Sequence, residues 1–556
     1  MSRFVDMLLD TARTRGQERG ITTGEPAAPV RHTWARVHER ATRMAGSLIA
    51  GGLAKHGAVA VLAAEPVTIA PAVQAVWLAG GSVTMLHQPT PRTDLAEWAR
   101  DTVRVLAMIG SKLVLLGAPF DQLAPVLEQN GIAYLNLSGL ADGEPVADVV
   151  EVGEEAPALL QLTSGSTAEP KAVRITHGNL FANMTAMTEA SELDVDNDIM
   201  VSWLPLFHDM GMVGFLTVPM TVGLELVKVT PVEFLTGPLL WAELISRYRA
   251  TITAAPNFAY ALLGRRLSGV DDEGKYDLST LRLALNGAEP IDEKAVRLFT
   301  EAGARFGMRP ECVFPAYGMA ETTLAVSFAP LLSGLRLDRI DADKLESENL
   351  AVPSDSPSAR SFALLGRPLR GIEERIVAEG GRVLGEREVG EIQLRGAAVT
   401  PGYLTVNGPV ATQDADGWLA TGDIGYTVDG EIVICGRQKD VIILAGRNIY
   451  PTDIERAAST VEGVRAGNAV AVRIDAGSRR ERFAVVVESK LAGDTDAERV
   501  LRKEVGTRVF EAVNARPVAV IVLKPGTLPK TPSGKLRRAA AGEQLAAAIH
   551  ARETAD

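Results

Sequence analysis

A chain of 556 residues is too long for one hydrophobic core and predicts several packed units. Its 46% hydrophobic and 23% charged residues are ordinary for a globular enzyme. The formal net charge of −12 argues against a nucleic-acid partner, which would favour a basic face.

The first ten residues carry Asp6 and Asp10 inside an apolar register, which predicts an amphipathic helix and no secretion signal. Strands are expected at residues 58–62, 82–86 and 113–116, alternating with helical patterns. Residues 66–91 contain no Asp, Glu, Lys or Arg. Pro71, Gly80 and Gly81 interrupt a membrane span there and Gln74 sits inside it. A buried helix near residues 72–79 feeding a buried strand is therefore expected, with no membrane insertion. Further strands at 252–255 and 281–286 end at loops, so the alternation predicts α/β layers with largely parallel sheets. Residues 334–360, rich in charge, Ser and Pro, read as an insertion that covers surface. Short strands and turns then define a small β-rich subdomain at about 362–437. From Gln438 a helix beginning at Pro451, strands at 469–472 and 483–487, a helix after Glu498 and a strand at 518–523 make a second, small α+β domain. Residues 536–552 are alanine-rich and helical. The predicted division is 1–437 and 438–556. Cys312 and Cys435 lie far apart without metal or redox spacing and read as buried small hydrophobes of a reducing, cytoplasmic compartment.

The chemistry begins at Gln161-Leu-Thr-Ser-Gly-Ser-Thr-Ala-Glu-Pro-Lys171, a hydroxyl-rich, glycine-bearing loop after an apolar run. Backbone N–H groups, the hydroxyls of Thr163, Ser164, Ser166 and Thr167, and the Lys171 ammonium can converge on phosphate oxygens around Gly165. It is not a Walker A loop, because Pro170 and Ala172 stand where that motif needs glycine and a hydroxyl. Trp203-Leu-Pro-Leu-Phe-His-Asp-Met-Gly-Met212 places His208 and Asp209 at a strand-to-helix transition. Leu285-Asn-Gly-Ala-Glu-Pro290 puts Asn286, Gly287 and Ala288 at a strand end, where an open α/β sheet presents ligand loops. Pro315-Ala-Tyr-Gly-Met-Ala-Glu-Thr-Thr323 offers the Tyr317 ring, the Gly318–Met319 backbone, the Glu321 carboxylate and the Thr322 hydroxyl. Thr421-Gly-Asp423 and Gly436-Arg-Gln-Lys-Asp440 add a carboxylate and Arg437. Pro529-Lys-Thr-Pro-Ser-Gly-Lys535 closes the series with a lysine on a Gly/Pro loop. Taken singly, each of these stretches is also compatible with a turn, a cap or a basic tail.

As an ordered set from Gln161 to Arg538 the motifs resemble the adenylate-forming ligases. The Trp203–Gly211 motif, Ala445-Gly-Arg-Asn-Ile-Tyr-Pro451 and the 334–360 insertion resemble the fatty acyl-AMP ligases within that superfamily. Ala168 and Ala172 depart from the superfamily's loop, which has glycine at both places. The resemblance implies ATP and Mg²⁺ as cofactors, a fatty acid as substrate, and an acyl carrier protein, or a synthetase carrier domain, as acceptor. It implies Tyr317 against the adenine, with Asn286 to Ala288 bordering it, and Asp423 and Arg437 at the ribose. Thr322 is implied at the α-phosphate, Glu321 at Mg²⁺, His208 beside the acyl carboxylate, Lys535 as the catalytic lysine and Lys439 as the hinge of a mobile small domain. Phe207, Met210, Met212, Phe215 and Phe258 are candidates for the acyl pocket. A long-chain acyl-CoA synthetase, an amino-acid or aryl-acid adenylating enzyme and a catalytically inactive adenylate-binding homologue share most of these motifs and stay open as alternatives.

Overall fold

The computed structural model describes residues 2–89, 93–163, 169–444, 447–465, 467–476, 481–529, 536, 538 and 540–542. Helices and strands alternate, and two large sheets form the body. The nine-stranded sheet has a parallel centre, in which Gly20–Thr23, Glu225–Lys228, Ile199–Ser202, Ile252–Ala255, Leu283–Asn286 and Val313–Gly318 run side by side. The eight-stranded sheet carries Pro157–Thr163 paired antiparallel to Lys171–Thr176, so the two described flanks of the phosphate-loop candidate form a hairpin ladder.

Between these layers lies the charge-free segment. Helix Pro66–Leu78 is apolar all round and buried along nearly its whole length, as expected for a core helix flanked by protein on every side. Trp77 donates its indole N–H to the Ala158 carbonyl at 2.8 Å and meets Phe4 edge-to-face at 4.8 Å. Phe4 lies on the amphipathic helix Arg3–Thr14, whose N-cap Ser2 accepts from the Val5 N–H. No described helix is long and apolar enough to cross a membrane. Both cysteines are free and buried, and burial pushes the Cys312 thiol up to about 12.

A four-stranded antiparallel sheet, from Ile372–Val377 to Glu431–Arg437, forms the β-rich part. It is less self-contained than the sequence implies. Strand Gly402–Thr405 leaves it to pair with Lys171–Thr176, and Arg367–Pro368 extends the nine-stranded sheet. Beyond Gln438–Asp440 come the hairpin Ile442–Leu444/Arg447–Ile449, helix Pro451–Ser459, a three-stranded sheet and helix Thr495–Val513. These build a separate hydrophobic cluster around Ile454, Val485 and Val505. Of the expected helix at 536–552, only residues 536, 538 and 540–542 fall among the described residues.

The insertion corrects an expectation. Its charges read as a surface cover, yet strand Leu337–Ile340, paired with Arg360–Ala363, and helix Ala342–Glu348 bring Ile340 and Leu345 into a core with Tyr426, Val433 and Tyr450. Two of its charges are themselves buried, Glu346 at 3% and Arg360 at 9% exposure. They tolerate burial because they face each other and partners from the small domain, Arg447 and Asp453.

Candidate active site

The carboxyl ends of the parallel strands open into a cleft of about 2580 Å³, also lined by residues after 437, among them Lys439, Arg456 and Arg473. Ligands of open α/β sheets bind at such strand ends, because loops there are free to diverge from the regular ladder. Strand Ile199–Ser202 leads into the Trp203–Asp209 loop and then a π-helical stretch, Met210–Thr217. Wide helical turns of this kind concentrate at functional sites. In the loop, His208 Nδ1 lies 2.6 Å from Asp209 Oδ1, and Asp209 accepts from the Met210 N–H. His208 and Phe207 face the cleft.

Asp423 sits at the junction of two motifs. It is 4% exposed, accepts from the Tyr317 hydroxyl at 2.7 Å, and pairs with Arg437 Nε at 2.9 Å. Strand pairing dictates the second contact, since Asp423 and Arg437 are register partners in the antiparallel ladder. Burial raises the Asp423 carboxyl above the usual range, while Arg437 and Tyr317 pull it back down. Glu321 is held from two sides. The Tyr403 hydroxyl donates to it at 2.6 Å and Lys171 Nζ lies 3.7 Å away, with that ammonium 4.0 Å from the Tyr403 ring centre. A lone carboxylate suits Mg²⁺, which takes few protein ligands and completes its shell with phosphates and water. Among the described residues no group of three or more His, Cys, Asp or Glu could form an all-protein cage. Among the described residues the buried Thr163 hydroxyl has no partner, and the cleft is where a ligand oxygen would meet it.

Gly287, Ala288, Tyr317, Gly318 and Met319 line the cleft together. Ala288 holds φ +68°, an uncommon conformation for a residue with a Cβ, of the kind that concentrates at ligand sites. A Cβ on Gly318 would lie 2.2 Å from the Leu324 carbonyl oxygen, so glycine is required there.

Three expected residues are placed elsewhere. Thr322 is fully buried and donates its hydroxyl to the Met319 carbonyl at 2.9 Å, which takes its proton away from any phosphate. Asn286 is buried behind the cleft, where its Nδ2 donates to Asn257 Oδ1 at 3.2 Å. Met212 is fully buried off the cleft, because the π-helical stretch turns Met210 and Phe215 toward the cleft and Met212 away. Phe258 does line it. Ser164, Gly165, Ser166, Thr167 and Lys535 lie outside the described residues, although Leu536 and Arg538 beside the lysine line the cleft.

Other residues at the site carry no sequence signal. Gln161 donates from Nε2 to the Phe207 carbonyl at 2.9 Å, tying the phosphate hairpin to the His208 loop. His87 stands edge-on to Phe207 at 5.9 Å, and burial, with His208 beside it, holds its pKa below the ordinary value. Lys228 is 1% exposed, donating to the Leu204 carbonyl and to Ser202 Oγ at 3.2 Å, so it anchors the loop from beneath. Its strand position opposite Ser202 would have marked it only if the register were known.

Burial pushes Lys228 down to about 7, against the attraction of Glu233; in an unfolded chain a lysine titrates near 10.4. Between these values the folded form binds fewer protons than the unfolded one. The penalty of the buried charge is therefore full below about pH 7 and is relieved as pH rises toward 10. Relative to Lys228→Met, the wild type should gain stability across that range. Urea midpoints measured every half unit of pH would show it, and parallel curves for the two proteins would refute it.

Residues 10–404 match the AMP-binding enzyme family. The chain belongs to that family. This AMP-binding enzyme is 56% identical over 540 residues to Rv1013 of Mycobacterium tuberculosis, a protein with a provisional ligase name, covering 97% of this chain and 99% of that one. It is 34% identical over 405 residues to the medium-chain fatty acid–acyl carrier protein ligase JamA of Moorena producens, covering 70% of this chain and 68% of the other. A solved chain from structural and functional studies of fatty acyl-adenylate ligases of E. coli and L. pneumophila superposes with a TM-score of 0.88. That chain is 29% identical, with coverage of 99% and 98%.

Proposed function

We propose that this AMP-binding enzyme activates a fatty acid with ATP to an acyl-adenylate and passes the acyl group to the phosphopantetheine thiol of a carrier protein. The observation that carries the reading is one cleft that joins Asp423–Tyr317–Arg437, Glu321–Lys171 and His208 to an apolar lining. Fatty acid ligation by JamA and the fold shared with fatty acyl-adenylate ligases support the same substrate class.

A fatty carboxylate is already ionised at neutral pH, so its attack on the α-phosphorus needs charge neutralisation more than a base. A carboxylate oxygen–phosphorus bond forms, the bridging oxygen–phosphorus bond breaks, and pyrophosphate leaves. Thr163, Lys171 and Lys535 would meet the phosphates, and Glu321 would hold Mg²⁺, which neutralises phosphate charge. Asp423 would accept the ribose hydroxyls beside Arg437, with Tyr317 against the base and His208 at the carboxylate. A thiolate then displaces AMP from the mixed anhydride. We assign residues 1–437 to the large domain and 438–556 to the small one, with the hinge at Lys439.

Pyrophosphate release on mixing the enzyme with ATP, Mg²⁺ and a series of fatty acids tests the first step. Transfer to holo carrier protein against free CoA tests the second, and comparable rates with CoA would make it an acyl-CoA synthetase. Asp423→Ala removes a contact made in ground and transition states alike. KM for ATP should therefore rise more than kcat falls. An unchanged ATP dependence would reduce Asp423 to a structural partner of Tyr317 and Arg437.

A further inference from the structure

The cleft continues beyond the candidate site along one face of the nine-stranded sheet. Alternate residues of adjoining strands line it: Leu285 and Leu283 on one, Ile252 on the next and Met200 beyond that. Leu283, Ile252 and Met200 are lateral neighbours in register at the amino-terminal rim of their strands. Facing them are Met187, near the end of helix His177–Ala190, and Ser191 and Leu193 just past it. From Gly287 at the nucleotide end to Leu283 is four residues of strand, about 13 Å at ~3.3 Å each, room for roughly ten methylenes of an extended chain.

At that rim the apolar channel meets a polar clamp. Asp198, Thr251 and Arg282 each immediately precede one of the three strands. Arg282 Nε donates to Asp198 Oδ1 at 2.9 Å, and the Thr251 hydroxyl donates to the same oxygen at 2.7 Å. The Arg282 guanidinium also donates to the carbonyls of Ser191 at 3.1 Å and Glu192 at 3.0 Å. Those carbonyls belong to the C-cap of helix His177–Ala190 and the residue after it, which turns at φ +46°. Asp198 is 2% exposed. The guanidinium thus fastens the helix end onto the strand rim, and Met187, Ser191 and Leu193 close the channel where it is fastened.

We infer that the Arg282–Asp198 clamp is the floor of the acyl channel and sets the longest fatty acid this enzyme activates. The inference rests on the adenylation reading and adds to it a medium-chain limit and the residues that impose it. Arg282 and Asp198 act as positioning residues, through the helix end they hold. An acyl chain that reaches the floor is fully sheltered, while a longer one must displace the clamp or leave its end outside.

The test is a series of straight fatty acids from six to eighteen carbons in a pyrophosphate-release assay. It compares the wild type with Met187→Trp, which fills the base, and Leu193→Ala, which deepens it. A double variant, Arg282→Leu with Asp198→Leu, removes the clamp without leaving a lone buried charge. The wild type should show a sharp length limit. Met187→Trp should move that limit shorter by two or more carbons. Leu193→Ala and the double variant should raise kcat/KM at least about tenfold for acids just beyond the limit, within the range one or two methylenes command in an apolar pocket. KM for ATP should stay constant in each, which a general loosening of the fold would not allow. A limit unmoved in Met187→Trp and Leu193→Ala would overturn the floor. The chain would then leave toward the exposed Val232 and Leu235 of helix Pro231–Thr236. A wild type that releases pyrophosphate with none of the acids would overturn the adenylation reading itself, a different result from an unmoved limit.

Discussion

Replacing Lys535 by alanine should lower acyl-adenylate formation by a factor of ~10² or more, as expected when one charge-stabilising donor is removed from a developing anion. In the sequence the lysine follows proline, serine and glycine and precedes Leu536 and Arg538, both at the cleft. Arg538 is anchored to Glu455 at 2.6 Å and lies 3.4 Å from Asp440, beside the assigned hinge. The described residues that follow the lysine are therefore held at the cleft. The role assigned to Lys535 would belong to the first half-reaction, where negative charge gathers on the α-phosphate. Acyl transfer from pre-formed acyl-adenylate should change far less. Separate assays of pyrophosphate release and thiol acylation check this, and equal losses in both would remove Lys535 from the assigned role.

Glu346→Ala should be strongly destabilising although it lies outside the cleft. Its carboxylate accepts from Arg360, and Arg447 Nε reaches it at 3.0 Å, while Arg360 also lies 3.3 Å from Asp453. Removing the carboxylate leaves the buried Arg360 with Asp453 alone, and breaking a buried pair in this way costs up to about 3–5 kcal/mol. Glu346 belongs to the insertion, whereas Arg447 and Asp453 lie beyond the assigned hinge, so under that assignment the cluster would hold the small domain in one orientation. Asn448 adds a hydrogen bond to Asn349 at 2.9 Å. Loosening it should also raise acyl-CoA production relative to acyl-adenylate, by tenfold for each ~1.4 kcal/mol of bias removed. Urea denaturation and product ratios with free CoA measure the two effects. A variant within about 1 kcal/mol of wild type and unchanged in CoA use would show that the insertion does not restrain the domain. Cutting the insertion to a short loop would be a poorer test, because Ile340 and Leu345 would leave a core they share with Tyr426 and Tyr450.

Local chemistry was enough to single out several residues of the candidate site. Tyr317, Glu321, Asp423 and Arg437 stand in motifs whose spacing is written in the chain, and the structure brings them to one cleft. Thr322, Asn286 and Met212 were misplaced for a common reason. A motif specifies which residues stand at a strand end, but the turn after it decides which side chains face in. At Thr322 a short 3₁₀ turn directs the hydroxyl to the Met319 carbonyl. At Met212 a π-helical stretch replaces the ordinary helical phase that a sequence pattern assumes.

By itself the sequence determined the alternating α/β architecture, the absence of charge that makes Pro66–Leu78 a core helix, and the order of the nucleotide motifs. These follow from local periodicity, turn residues and short spacings, all of which act between near neighbours in the chain. Only the tertiary structure decided that Lys228 supports the His208 loop, that Gln161 ties that loop to the phosphate hairpin, and that Arg282, Asp198 and Ser191 meet at one rim. It alone showed the insertion's charges buried against the small domain. Each of these rests on strand order and register between segments 14 to 101 residues apart. Burial of a charged side chain there depends on a partner that no local pattern can name.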